Sequence, residues 1–202
     1  MEQTERSVVY VLIALLLIVV LFFAIIGVRK YMASQPDEYN GFTVRAIQSG
    51  KVVTYETDVF INGQGPYSIS TRFSPEQVDD IPIDQEVREY ILNRKLLSLA
   101  IDASDDRLKV GTTLGAVEFN NIVEKLYGIT VSSASTTASD KYELMTCDMA
   151  SKEHGLIIYE LADTSHVIVD GKCLRLQAVS DTDFVRVSDR LVFELVGVIP
   201  RG

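Results

Sequence analysis

Residues 96–128 read LLSLAIDASDDRLKVGTTLGAVEFNNIVEKLYG and decide the class of fold. The first six residues are almost continuously apolar, which is typical of a strand covered on both faces. Apolar residues then recur at helical spacing from about 109 to 127, and Gly128 is a fitting helix stop. A buried strand, a helix and a later strand predict a βαβ unit with a right-handed crossover.

The segments on either side predict an antiparallel part and a C-terminal helix. Strand-like runs at residues 42–48, 52–61 and 67–73 are separated by turn-forming residues, so we expect a meander. Further strands are predicted at residues 142–147, 156–161, 166–170 and 173–179, with a tight turn at Asp170-Gly171. Residues 182–196 have an amphipathic helical pattern. The sequence therefore predicts one mixed α/β domain of the α+β type, with a mixed sheet, a meander, a βαβ unit and a C-terminal helix.

The N-terminal part of the chain has the pattern of a membrane helix. Residues 8–28, VVYVLIALLLIVVLFFAIIGV, contain no charged side chain, and about 20 helical residues match a hydrocarbon core of roughly 30 Å. Arg29 and Lys30 follow at once, where a cleaved signal peptide would have small residues. We therefore predict a single-pass protein held by an uncleaved signal anchor. Its parts are a tail at 1–7, a transmembrane helix at 8–28, a stalk at 29–40 and a soluble α/β domain at 41–202.

The charge of the chain limits its partners. A formal net charge of -9 argues against nucleic acid, because phosphate binding needs a surface rich in lysine and arginine. The lipid bilayer is the predicted partner of residues 8–28. The positive charges on the two sides of this segment nearly balance, so the charge rule does not decide which side the domain occupies.

The two cysteines help to predict on which side of the membrane the soluble domain lies. Cys147 and Cys173 both fall in strand-like runs of the predicted domain, so an intramolecular disulfide is geometrically conceivable. A disulfide would place the domain outside the cytoplasm. Two buried reduced thiols are the alternative, and they would fit a cytoplasmic domain.

The same cysteine is also a candidate nucleophile. The run Leu144-Met145-Thr146-Cys147 resembles the Leu-x-Thr-Cys strand of sortases, but the resemblance covers only these residues. Sortases need a histidine upstream of the cysteine, whereas His154 and His166 both follow it. A thiol enzyme of another kind would need His154 close enough to act as the base of Cys147.

A second alternative is a metal site. Asp102, Asp105 and Asp106 follow the predicted central strand, a position where open α/β sheets often place their sites and where carboxylates could hold Mg²⁺ or Ca²⁺. Their spacing matches no calcium loop, and acidic loop and helix-cap residues explain the cluster without any metal. The sequence has no Gly-rich phosphate loop, zinc-ligand spacing or nucleophile elbow, so no cofactor and no catalytic residue is predicted.

Several polar positions near the C-terminal helix have local interpretations. Asp181 and Asp183 are expected to cap this helix, and Arg190 and Glu194 to form a surface pair. Phe193 lies on the polar side of the helix. We expect a neighbouring loop or the meander to cover it, the alternative being an exposed contact for a partner.

These observations favour a non-enzymatic binding or assembly module of the cell envelope, with its soluble domain outside the cytoplasm and another envelope protein as a possible partner. The alternative is an envelope hydrolase or transferase that uses Cys147 with His154, or a metal held by Asp102, Asp105 and Asp106.

Overall fold

A computed structural model of the protein describes residues 15–26 and 37–199, in two units that comprise residues 1–37 and 38–202. The predicted tail, the rest of the predicted membrane segment and most of the predicted stalk lie outside the described residues. In the first unit, residues 15–26 form helix α1, whose large apolar side chains are exposed. Within the described residues, no helix is long and apolar enough to cross a membrane.

The second unit contains two sheets, the smaller of which is antiparallel and has four strands. These strands are β1 (Asp37–Tyr39), β2 (Phe42–Ser49), β3 (Val52–Ile61) and β4 (Gln64–Thr71), and they lie in sequence order. The pairing of β2 with β3 and of β3 with β4 confirms the predicted meander. Strand β1 falls within the segment predicted as a stalk.

The larger sheet is mixed and has six strands in the order β7-β6-β5-β8-β10-β9. The strands are β5 (Leu96–Ile101), β6 (Thr130–Ser135), β7 (Glu143–Leu144), β8 (His154–Leu161), β9 (His166–Asp170) and β10 (Cys173–Ala178). All neighbours are parallel except β9 and β10, which form the predicted hairpin. The apolar strand β5 lies inside the sheet, as expected for a strand covered on both faces.

Three helices complete the second unit: α2 (Val87–Leu92), α3 (Val110–Tyr127) and α4 (Phe184–Val196). Helix α3 connects the parallel strands β5 and β6, so the predicted βαβ unit is present. Helix α4 packs against α3 and β10 and also contacts β3 of the smaller sheet. It therefore lies between the two sheets, and every one of its residues except Arg186 is buried.

This position of α4 corrects one prediction and confirms another. Arg190 and Glu194 do pair, with Nη1 3.3 Å from Oε2, but their side chains are only 5% and 2% exposed. The predicted surface pair is wrong because the helix face that looks polar in sequence is also covered. Phe193 is fully buried in the main core, as expected for a covered aromatic.

A buried carboxylate joins α4 to the smaller sheet. Asp189 Oδ2 accepts hydrogen bonds of 2.9 Å from the backbone N–H groups of Arg72 and Phe73, just after β4. Burial raises the pKa of Asp189 to about 8, and the nearby carboxylate of Glu118 acts in the same direction. Burial therefore favours the protonated form of Asp189, while the two backbone N–H groups favour the ionised form.

The predicted caps of α4 are also corrected. Asp181 accepts hydrogen bonds from the backbone N–H groups of Lys109, Gly111 and Thr112, so it caps α3 instead. Despite partial burial, these bonds and one from the Thr112 hydroxyl lower the pKa of Asp181 to about 2. The Asp183 side chain makes no cap bond, whereas its N–H donates to the Ser180 hydroxyl.

Candidate functional site

The first place to look for a site is where the order of the parallel strands reverses. Strand β6 lies on one side of β5, and the later strand β8 lies on the other side. The order of the strands therefore reverses at β5. Open α/β sheets bind ligands in the crevice outside such strand ends. Here a cleft of about 370 Å³ is lined by Asp102, Asp105, Glu160 and Arg175, and by Cys147.

Four of the five charged residues that line this strand-end cleft form ion pairs with one another, and Asp102 is bonded to hydroxyl groups instead. Arg107 contacts Asp105 through Nη2 at 2.7 Å, and Arg175 contacts Glu160 at 2.6 Å and Asp170 at 2.8 Å. The bonds from Arg107 lower the pKa of Asp105 to about 2. These pairings account for the charges of the cleft without a ligand.

The predicted metal ligands do not converge. Asp102 Oδ1 accepts bonds from the Ser104 and Thr137 hydroxyls at 2.6 and 2.9 Å, and these bonds lower its pKa. Asp105 is engaged with Arg107, and Asp106 is exposed. Among the described residues, no three His, Cys, Asp or Glu side chains are grouped so that they could hold a metal ion.

Cys147 and His154, the alternative nucleophile and its base, each interact with a different residue. Cys147 and Cys173 are compatible with a disulfide, with Cα atoms 5.4 Å apart and sulfurs at 2.13 Å. His154 Nε2 instead lies 2.8 Å from the hydroxyl of Ser98, which is also 2.9 Å from that of Ser132. In this arrangement Cys147 has no free thiol and His154 interacts with a serine of the sheet.

The predicted strand at residues 142–147 is mostly absent. Strand β7 comprises only Glu143–Leu144, and Cys147 lies in a 3-10 turn. The reason is that β7 pairs with Ala134 and Ser135 at the very end of β6, so residues after Leu144 have no strand beside them. They cross the sheet instead, and Met145 and Ala150 are buried on the face opposite α3 and α4.

A different feature, the α3–β6 cavity, combines apolar walls with polar atoms that lack partners. It measures about 190 Å³ and lies between α3 and the neighbouring strands β5 and β6. Its apolar lining comes from Leu99, Ile101, Leu108, Ala116, Val117 and Val131. The apolar rim residues Val117 and Tyr142 are 49% and 40% exposed, so the cavity is accessible from outside.

Two buried polar atoms belong to side chains that line this cavity. The Tyr159 hydroxyl and the Asn120 Oδ1 atom have no hydrogen-bond partner among the described residues. Burial raises the pKa of Tyr159, and the nearby Ser188 hydroxyl opposes this only in part, so the phenol stays neutral and remains a donor. An unpartnered buried polar group costs about 1–3 kcal/mol, which an acceptor would recover for the Tyr159 hydroxyl and a donor for the Asn120 Oδ1 atom.

The cysteine pair is linked to the wall of this cavity. Residues 136–153 contribute Tyr142 to the cavity and β7 to the edge of β6, and a few residues later Cys147 meets Cys173 at the start of β10. Cys173 is fully buried. A disulfide between these cysteines would therefore restrain the segment that contributes Tyr142 to the cavity.

No family model, curated protein or solved structure matches this chain.

The residues of the α3–β6 cavity were not identified from the sequence. Tyr159 and Asn120 each lie in an element that the sequence predicts, but nothing in the spacing of the residues indicates that their polar atoms lack partners. The only available signal was a tyrosine inside the otherwise apolar run 156–159.

Proposed function

We propose that this chain is a membrane-anchored, non-enzymatic binding module whose soluble domain lies outside the cytoplasm and binds another envelope protein. The observation that carries the proposal is the α3–β6 cavity, which has apolar walls, an accessible rim and two polar side chains whose buried atoms lack partners. Anchor, compartment and binding rest on different observations and are tested separately.

The anchor is supported by the absence of charge in residues 8–28 and by the exposed apolar side chains of residues 15–26. An apolar segment of this length has its lowest free energy in lipid. The test is alkaline extraction of membranes that contain the full chain. Recovery of the full-length, unprocessed chain in the aqueous fraction would contradict an anchor.

The compartment is supported by the disulfide-compatible Cys147 and Cys173, because stable structural disulfides are rare in the cytoplasm. Alkylation of exported protein before reduction, followed by mass spectrometry, should leave both sulfurs unlabelled. Two freely labelled thiols would remove the argument for an outside location.

The size of the cavity favours a protein partner. Sites for drug-sized molecules usually measure about 300–1,000 Å³, whereas this cavity measures about 190 Å³ and suits one bulky side chain. A buried anchor side chain in a pocket is a common centre of a protein interface. The cavity therefore fits part of a partner better than a whole small molecule.

Site-specific crosslinking tests the binding site. A photoreactive residue at Val117, on the rim, should give a discrete adduct in intact membranes. The same residue at Val110, which is 77% exposed on α3 but does not line the cavity, is the matched control. The adduct at 117 should disappear when Ala116→Leu fills the cavity. Equal adducts at both positions, or an adduct unaffected by Ala116→Leu, would contradict the proposal.

A further inference from the structure

The edge of the larger sheet beside the α3–β6 cavity is only partly paired. Strand β6 is parallel to β5 along residues 130–135, but β7 covers its other side only at Ala134 and Ser135. Within the described residues, nothing pairs with the outer side of residues 130–133. Thr130, Ser132 and Ser133 are exposed there.

An open strand edge presents backbone N–H and C=O groups that an extended segment of another chain is able to pair with. The edge adjoins the cavity, because Val131, Ser132 and Ser133 line it together with Ala116 and Val117 of α3. A strand and a helix thus form two sides of one groove. In strand addition, the backbone provides affinity and a pocket selects one side chain.

The charge of the groove favours an acidic segment. The protein has 28 acidic residues and a net charge of -9, yet no aspartate or glutamate lines the cavity. The one charged residue that lines it is Lys109, whose ammonium group makes no ion pair with a described residue. A carboxylate beside the Lys109 ammonium group would gain an electrostatic attraction.

From this geometry we infer that the partner binds as an extended acidic segment that adds a strand to residues 130–133 of β6 and places one bulky apolar side chain in the α3–β6 cavity. The inference rests on the proposed function and specifies the chemistry of its partner. Strand β7 already uses the last two positions of the same edge, which limits the added strand to about four paired residues.

The probe for the test is a library of eight-residue peptides selected on the full-length protein in detergent micelles. Selected sequences should share one bulky apolar residue and an acidic residue at a fixed spacing from it. Lys109→Gln should weaken their binding about 2- to 5-fold at low salt, the range of an exposed ion pair, and added salt should reduce this difference.

Two further measurements separate the cavity from the strand edge. Ala116→Leu should weaken binding about tenfold or more, whereas Glu124→Leu, at an exposed position of the same helix outside the cavity, should leave it unchanged. Two peptide sets should be methylated at every second backbone nitrogen, one at odd and one at even positions. One set should lose binding and the other should keep it, because the N–H groups of alternate residues in a strand point toward the same neighbour. This probe leaves the protein itself unaltered.

The outcomes distinguish the inference from the proposed function. Peptides that need the cavity but tolerate methylation in both sets would overturn strand addition and leave the binding site intact. Peptides insensitive to Ala116→Leu would overturn both. A library that yields no binder while the crosslink at 117 still forms would overturn the extended segment alone.

Discussion

Removing the Tyr159 hydroxyl should not destabilise the protein, although Tyr159 is among its most deeply buried aromatic residues. The side chain is only 1% exposed and its hydroxyl has no hydrogen-bond partner among the described residues. Tyr159→Phe therefore removes a buried polar atom that makes no hydrogen bond of normal geometry and whose polar neighbour is the Ser188 hydroxyl. The matched control is Tyr90→Phe, at another buried tyrosine. Its one hydroxyl hydrogen is shared between the carbonyl oxygens of Leu156 and Lys172, and its oxygen accepts from the Leu156 N–H.

The two substitutions should differ in sign. Each hydrogen bond contributes about 0.5–1.5 kcal/mol net, so the loss of the donated and the accepted bond of Tyr90 should lower the free energy of unfolding by about 1–3 kcal/mol. Tyr159→Phe removes the penalty of an unpartnered hydroxyl and should raise the free energy of unfolding by about 1 kcal/mol. Both variants keep the aromatic ring, so differences in apolar burial do not enter the comparison.

Urea unfolding of the full-length chain in detergent, followed by far-ultraviolet circular dichroism, measures both values. The slopes with urea should be unchanged, which shows that the variants unfold from the same compact state. Tyr159→Phe should also weaken selected peptides if their apolar side chain carries an acceptor. A loss of 2 kcal/mol or more for Tyr159→Phe, equal to that for Tyr90→Phe, would refute the claim that its hydroxyl is unpartnered.

Three further predictions concern stability. Breaking the Cys147–Cys173 bond, which spans 26 residues, should cost about 3.5 kcal/mol by the chain-entropy model and lower the melting temperature by about 7–14 °C, measured with and without reductant. The pKa of Asp189 is about 8 when folded and close to 4 when unfolded, so its contribution to stability should fall as pH rises from 4 to 8. Urea titrations at each pH should show that Asp189→Asn removes about 3–5 kcal/mol of this fall in the free energy of unfolding. The same dependence on pH in the variant and the unaltered protein would contradict the prediction. Asp181→Ala should cost about 1–2 kcal/mol, because three backbone N–H groups at the start of α3 lose their acceptor; a change below 0.5 kcal/mol, within the scatter of ordinary surface substitutions, would show that water replaces it.

The elements that follow from local periodicity were predictable. The apolar run of β5 and the helical spacing of α3 are properties of the sequence at short range, and both elements form. The meander and the β9–β10 hairpin also follow from alternation and turn residues. The predicted strand at 142–147 failed because strand formation needs a neighbouring edge, and β6 ends beside Leu144.

The roles of polar residues were less predictable, since they depend on distant backbone. Asp181 lies beside α4 in sequence but caps α3, and Asp189 lies on the polar side of α4 but accepts from residues 72 and 73. Arg190 and Glu194 form the predicted pair in an unpredicted environment. Asp181, Arg190 and Glu194 were assigned to α4 alone and Asp189 was given no role, whereas the second sheet or a neighbouring helix determines the surroundings of these side chains. The cavity residues escaped prediction for the same reason.

The thiol-enzyme alternative and the compartment of the domain are one question, because both depend on the Cys147 sulfur atom. A thiol enzyme needs Cys147 free, while the disulfide that restrains Tyr142 and β7 needs it bonded to Cys173. In an oxidising compartment the bond forms, and the cavity keeps its wall. In a reducing one, the thiol is released and the same segment loses its restraint. A Cys147 bonded to Cys173 would therefore exclude the thiol-enzyme alternative, whereas two free thiols would remove the argument for an outside location.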